Sequence, residues 1–296
     1  IRGWFTKERR EEAIEQGKES IARAMRKQNL PLQKLMSQDV VTAVASQMRY
    51  EGVDALYAAI GEGQISAASV VQRLVASLGG ESGARTLDND WAAKYEIPVT
   101  FAATIKVKPE EVMARPEIKR MDPSAQYAVI AAREAWADAG SPELEPERLG
   151  VVVSSGIGGI WTTLDAWDTL REKGARRVLP MTVPMLMPNG PGAAIGMDLH
   201  ARAGIRTVVS ACASSTEAIV NAYDHLQQGF ADVVIAGGSE AAIHPLPIAS
   251  FAAMQALSRR NADPTTASRP YDVTRDGFVL GEGAAALVLE TEEHAK

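Results

Sequence analysis

One stretch has residue types and spacing that could carry covalent chemistry: TVVSACASSTEAIVNAY, residues 207–223. A β-branched segment runs into Ala211-Cys212-Ala213 and then into a helix rich in Ser and Thr at its start. A strand, a tight turn and a helix in that order would hold the Cys212 thiol at a sharp bend. The free amides and positive dipole end of the helix there favour a thiolate nucleophile. Ala211, Ala213 and Ser214 are small and leave room for a bulky acyl group. A lone cysteine is more often an ordinary buried thiol, and on this motif alone the two readings stand level. Two glycine patterns carry less. Gly190-Pro191-Gly192 with Gly196 has the wrong spacing for a dinucleotide fingerprint, and Pro191 lacks the amide a phosphate would use, so it reads as the start of a helix. Gly237-Gly238 lacks the Lys and Ser/Thr of a P-loop and reads as a strand end.

The elements that must position Cys212 alternate β and α from residue 81 onward, which predicts a parallel or mixed sheet layered by helices. The expected strands are Val99 to Ala103, Gly150 to Ser154, Thr207 to Ser210, Asp232 to Ala236, Gly277 to Leu280 and Ala284 to Glu290. The expected helices run from Ser124 to Ala139 behind an Asp122-Pro123 cap, from Trp161 to Lys173 ended by Gly174, and from Ser214 to Gln228 ended by Gly229. Met181 to Pro191, rich in Met and Pro, reads as neither helix nor strand. Residues 1–80 differ, since they pattern as helices only. Glu8 to Gln28 carries Ile14, Ile21 and Met25 on one face, and Asn29 and Pro31 end it. Ser37 caps a second helix to Met48, and Ser66 caps a third, Ala67 to Leu78, stopped by Gly79-Gly80.

The chain has 296 residues, 46% of them hydrophobic and 23% charged, enough for a sizeable core and for two domains. The formal charge of −6 is uneven, with residues 1–80 at +2 and residues 81–296 at −8. No apolar run reaches the about 18 residues of a membrane span, and the first residues lack a signal-peptide core. These features predict a soluble, cytoplasmic chain without membrane contact. One cysteine excludes an internal disulfide and a multi-cysteine metal site, and nothing calls for a cofactor. A start at Ile1 and a stop at HAK read as those of a fragment.

The stretches ESGARTLDNDW, KRMDPSAQYAVIAAREAWADAG, VVVSSGIGG, VSACASSTEAI, DVVIAGGSEAAIHPLPIASFAAMQALSRRN and ASRPYDVTRDGFVLGEGAAALVLETEEHAK resemble, in this order, the β-ketoacyl-ACP synthases. These are the elongating condensing enzymes of fatty-acid and polyketide synthesis. The resemblance implies the N-terminal half of the thiolase-like α/β fold over residues 81–296, preceded by a small all-α segment. It makes Cys212 the acyl-accepting nucleophile and its amide one oxyanion donor, and it places Ile157 and Phe251 on the acyl pocket. It implies acyl carrier protein as partner and a homodimer, with Met181 to Pro191 near the interface and Thr207 to Ser210 paired across it. Family members also use two histidines and a lysine to decarboxylate the malonyl unit. His200, His225, His244 and His294 do not match those positions and read as structural or solvated. The chain as given is therefore expected not to condense.

Residues 1–80, from IRGWFTKERREEAIEQGKESIARAMRKQNLPLQKL through MRYEGVDALYAAIGEGQISAASVVQRLVASLGG, resemble the helical regulatory segment of the Rel-type (p)ppGpp synthetase/hydrolases. That family's segment belongs to the ribosome-associated half, and a net +4 over residues 1–36 could favour RNA, although a solvated amphipathic helix explains it as well. Two other functions compete with the synthase: a non-catalytic fusion carrying a ribosome-linked helical piece, and a thiolase or chain-length factor. The SACASS context and the RPYDVTRDGFVLGEG run fit an elongating synthase better than a thiolase, and a chain-length factor would lack the cysteine.

Overall fold

The computed structural model describes residues 7–27, 41, 53–62, 66, 67, 70, 71 and 82–296. Its chain divides into two compact units, Ile1–Glu81 and Ser82–Lys296.

In the first unit, α1 (Lys7–Lys27) packs on α2 (Val53–Gly61). Ala13, Ile21 and Met25, four or eight residues apart on one face of α1, are buried, whereas Ile14 sits at the edge of that face. Of the expected helix Ser37 to Met48 only Val41 is described, and of Ala67 to Leu78 only Ala67, Val70 and Val71, all four helical; the stops at Asn29, Pro31 and Gly79-Gly80 lie outside the described residues.

The second unit is built on a four-stranded sheet of order β4-β3-β5-β6. Its strands are β3 (Leu149–Ser154), β4 (Ile205–Arg206), β5 (Val233–Glu240) and β6 (Gly283–Glu290). β3 pairs parallel with β4 and β5, and β6 closes the edge of β5 antiparallel. Parallel strands need helices on both faces, so their residues must be apolar on both. Accordingly, Val151, Val153, Val233 and Ile235 face α3 (Pro123–Asp138) and α6 (Gly190–Asp198), where Ala128, Val129, Ala132 and Ile195 meet them. Val152, Val234 and Ala236 face the other way, onto Ala218, Ala222 and Leu226 of α7 (Ser214–Gln227). Alanine on the sheet-facing sides of α3 and α7 brings these helices close to the strands.

A separate antiparallel pair, β1 (Ala84–Thr86) and β2 (Phe101–Ala103), packs with α8 (Pro245–Ala253) around Phe101, Ile243 and Ile248. The helix α4 (Ile160–Lys173) ends at Gly174 and α7 stops just before Gly229, both glycines with positive φ as expected at those stops.

Several expected elements are corrected. Thr207 to Ser210 forms no ladder; the strand is only Ile205–Arg206. Beyond it the chain peels away from β3, and hydroxyls replace ladder bonds. Thr207 Oγ1 donates to the Val153 carbonyl (3.1 Å) and the Val208 amide to Ser154 Oγ (3.2 Å). Gly277 to Leu280 is reduced to a single bridge between Phe278 and Leu257. The first expected strand shortens to Phe101–Ala103. Met181 to Pro191 contains α5 (Thr182–Leu186) and the start of α6, because Pro184 and Pro191 fall in first turns, where no amide is needed. β5 runs through Gly237-Gly238 to Glu240 instead of ending there.

Asp122 shows how the helices are fixed. Its carboxylate, almost fully buried, accepts from the amide and hydroxyl of Ser124 (3.0 and 2.8 Å), capping α3, and from the amide and hydroxyl of Thr162 (3.0 and 2.8 Å) in the first turn of α4. Asp122→Ala removes the cap and leaves buried donors without partners, so it should cost about 2–4 kcal/mol. Urea denaturation followed by tryptophan fluorescence measures this, and a loss below about 1 kcal/mol would mean that the carboxylate is dispensable.

Candidate active site

In open α/β sheets the ligand site lies beyond the carboxyl ends of the parallel strands, where the connections diverge. Here the ends of β3 and β5, the segment after β4 and the start of β6 converge on one cavity of about 540 Å³. Ile157, Cys212, Glu240, Phe251 and Phe278 line it, with small residues from the strand ends between them. The structure therefore brings together all three residues singled out from the sequence, Cys212, Ile157 and Phe251.

Cys212 lies in a single 3-10 turn, Ala211–Ala213, that leads directly into α7. Ala211 holds φ at +52°, a left-handed conformation costly for any residue with a Cβ. The turn is locked from below by Ser214, which is buried. Its hydroxyl donates to the Ala211 carbonyl (2.7 Å) and accepts from the Ser210 amide (3.0 Å). The hydroxyl of Ser210 is buried without a partner. α7 comes close to β5 because Gly238 has no side chain: a Cβ there would lie 2.5 Å from that of Ser215. The result is an exposed, unbridged thiol at the N-terminus of a 14-residue helix.

Phe251 meets Phe278 edge-on, with centroids 5.3 Å apart. Ile157 is 42% exposed, so its side chain is held by no core and projects at the cavity wall. Its loop is tied down by a residue that sequence reasoning missed. The half-buried carboxylate of Glu240 accepts from Ser155 Oγ (3.0 Å) and from the Gly156 amide (2.9 Å). Burial pushes its pKa above the usual carboxylate range, against the pull of those donors. The one signal in the sequence is an acid, GGSEAAI, inside an otherwise apolar and small run.

No histidine or lysine lines the cavity. His225, of the two settings read from the sequence, has the structural one: it is buried, with Nε2 3.0 Å from the Ala203 carbonyl and its ring 5.3 Å from that of Phe230. His244 caps α8 by accepting from the Leu246 amide, and its ring meets Trp161 edge-on at 4.7 Å. His294 pairs with Glu290 at 2.8 Å, and His200 occupies a left-handed turn after α6. Among the described residues there is no cluster of three metal-ligating side chains, and no helix is long and apolar enough to cross a membrane.

Comparison with known proteins adds to this geometry. Residues 62–295 match the family model described as beta-ketoacyl synthase, N-terminal domain, and residues 4–75 match that of the RelA/SpoT AH domain. The 3-oxoacyl-[acyl-carrier-protein] synthase 2 of Mycobacterium bovis is 42% identical over 217 residues, which are 73% of this chain and 52% of that protein. The enzyme of the same name from Staphylococcus aureus is 45% identical over 189 residues, 63% of this chain and 47% of that protein. A crystal structure of a beta-ketoacyl synthase from Burkholderia phymatum superposes with a TM-score of 0.67 at 32% identity, covering 77% of this chain and 56% of that one. The chain thus spans about half the length of the relatives it matches. Since the first model accounts for most of its residues, and the fold superposes on that of the Burkholderia phymatum synthase, the chain belongs to the beta-ketoacyl synthase family through its N-terminal domain.

Proposed function

We propose that this chain supplies the acyl-accepting half of a 3-oxoacyl-[acyl-carrier-protein] synthase, with Cys212 as the nucleophile. The observation that carries the reading is an exposed thiol on a strained turn, at a helix N-terminus and at the mouth of an apolar cavity. In the first step the Cys212 sulfur, as thiolate, attacks the carbonyl carbon of an acyl chain held as a thioester on acyl carrier protein. The carbonyl pair moves to oxygen, where the Cys212 amide is one donor. Collapse breaks the bond to the carrier sulfur, which leaves as a thiolate and takes the proton that Cys212 released. One thioester replaces another, with no net redox change and no cofactor. The apolar wall of Ile157, Phe251 and Phe278 receives the acyl tail.

In the second step malonyl carrier loses carbon dioxide, and the resulting carbanion attacks the acyl-Cys212 carbonyl. This gives a β-ketoacyl carrier and returns the thiolate. The enolate needs donors that the cavity lining here does not include, so they come from elsewhere in the working enzyme. Met197, Ile205, Val209, Val220 and Tyr223 are exposed apolar side chains on or beside α6, β4 and α7, and they support burial against a second copy in a homodimer. For residues 1–80, the match to the RelA/SpoT AH domain supports a helical regulatory module as a unit of its own, with contact to ribosomal RNA the interaction its basic start would serve.

Incubation with an acyl-carrier-protein thioester should add one acyl mass to the peptide bearing Cys212 and none to Cys212→Ala, as read by mass spectrometry. An unmodified Cys212 would sink the proposal. Ile157→Phe should cut palmitoyl loading by at least about tenfold while sparing butyryl, since a packed wall cannot absorb the added ring. Equal losses for both chains would remove Ile157 from the pocket.

A further inference from the structure

We propose that Glu240 is a positioning residue for acyl chain-length selectivity: its carboxylate pins the loop Ser155 to Gly158, and through that loop sets where Ile157 stands in the Cys212 cavity. The inference rests on the acyl-pocket reading above.

The register of the sheet makes the contact unavoidable. Ser154 of β3 pairs with Gly238 of β5, so Glu240, two residues further along β5, stands beside the loop that leaves β3. There it accepts from Ser155 Oγ and the Gly156 amide, the two residues that lead into Ile157. Ser155 relays the constraint, because its hydroxyl also accepts from the Gly158 amide at 2.8 Å. Gly156 permits the approach: a Cβ there would lie 2.9 Å from Glu240 Oε2 and 3.1 Å from the carbonyl of Ala211, the residue before Cys212. The carboxylate therefore holds the loop against the turn that carries the nucleophile.

Two facts separate positioning from plain stabilisation. Ile157 belongs to none of the packed clusters of the second unit, so its place depends on the backbone that carries it. Burial also disfavours the ionised carboxylate, so the charge is a cost to the fold, and what the acid returns is a fixed loop. A glutamine keeps most of this geometry, with its oxygen on the Gly156 amide and its NH2 group donating to Ser155 Oγ. An alanine keeps none.

The test is the ratio of palmitoyl to butyryl loading of Cys212, measured for the protein and its variants by mass spectrometry. Glu240→Ala should shift the ratio by about tenfold or more, and Glu240→Gln should restore most of it. Ile157→Ala should shift the ratio in the parent but add little in the Glu240→Ala background, because residues acting through one another are not additive. An unshifted ratio in Glu240→Ala, or shifts that simply multiply, would overturn the inference. If Glu240→Ala does not fold, Ser155→Ala takes its place, with a smaller shift and faster hydrogen exchange of the Gly156 and Gly158 amides expected; no change in either would equally overturn it. Failure of the parent itself to take up either chain would refute the acyl-pocket reading instead, and this inference with it.

Discussion

The parallel pairing of β3 with β5 is the constraint on which the rest of the second unit depends. Six consecutive partners, Leu149 with Val233 through Ser154 with Gly238, fix one register, and a slip of one residue would turn every valine to the wrong face. With that register set, odd-numbered valines bury against α3 and α6 and even-numbered ones against α7. β5 then runs two residues past the end of β3, so the loop after Ser154 has to pass Glu240. β4 adds only two residues to the ladder before its chain leaves for the turn at Cys212. The cavity is the space enclosed by these departures.

Two acidic residues deal with burial in different ways. Asp122 stands almost fully buried between two helix starts, with four donors that match its lone pairs, and its work is to join α3 to α4. Glu240 stands at the cavity wall, and its donors come from one short loop. Desolvation outweighs those donors there, so burial disfavours the ionised form.

Features governed by neighbours in sequence were legible in advance. The Asp122-Pro123 start of α3 and the glycine stops behind α4 and α7 all rest on local backbone chemistry, and the structure reproduces them. The turn and helix around Cys212 are reproduced as well, whereas the strand before them stands earlier, at Ile205–Arg206. Thr207 to Ser210 has the β-branched composition of a strand, but beside Val153 and Ser154 side-chain hydroxyls take the place of ladder bonds, and composition cannot report where a chain peels away from its partner. Met181 to Pro191 failed for the opposite reason, since prolines that forbid a helix interior are harmless in a first turn. Ile157 and Phe251 came from family resemblance and not from any pattern of spacing. Glu240 came from neither, because its partners lie some 85 positions away and only the sheet register brings them to it.

The tight seating of α7 on β5 has a consequence for redesign. Bare backbone at Gly238 faces Ser215, and Ala211 holds a strained φ, so neither position beside the nucleophile offers much to carve. Ile157, Phe251 and Phe278, by contrast, bring replaceable side chains to the lining. Anyone wishing to refit this cavity for branched or aromatic acyl groups has three adjustable side chains and one fixed anvil, and a library should spend its diversity on the former.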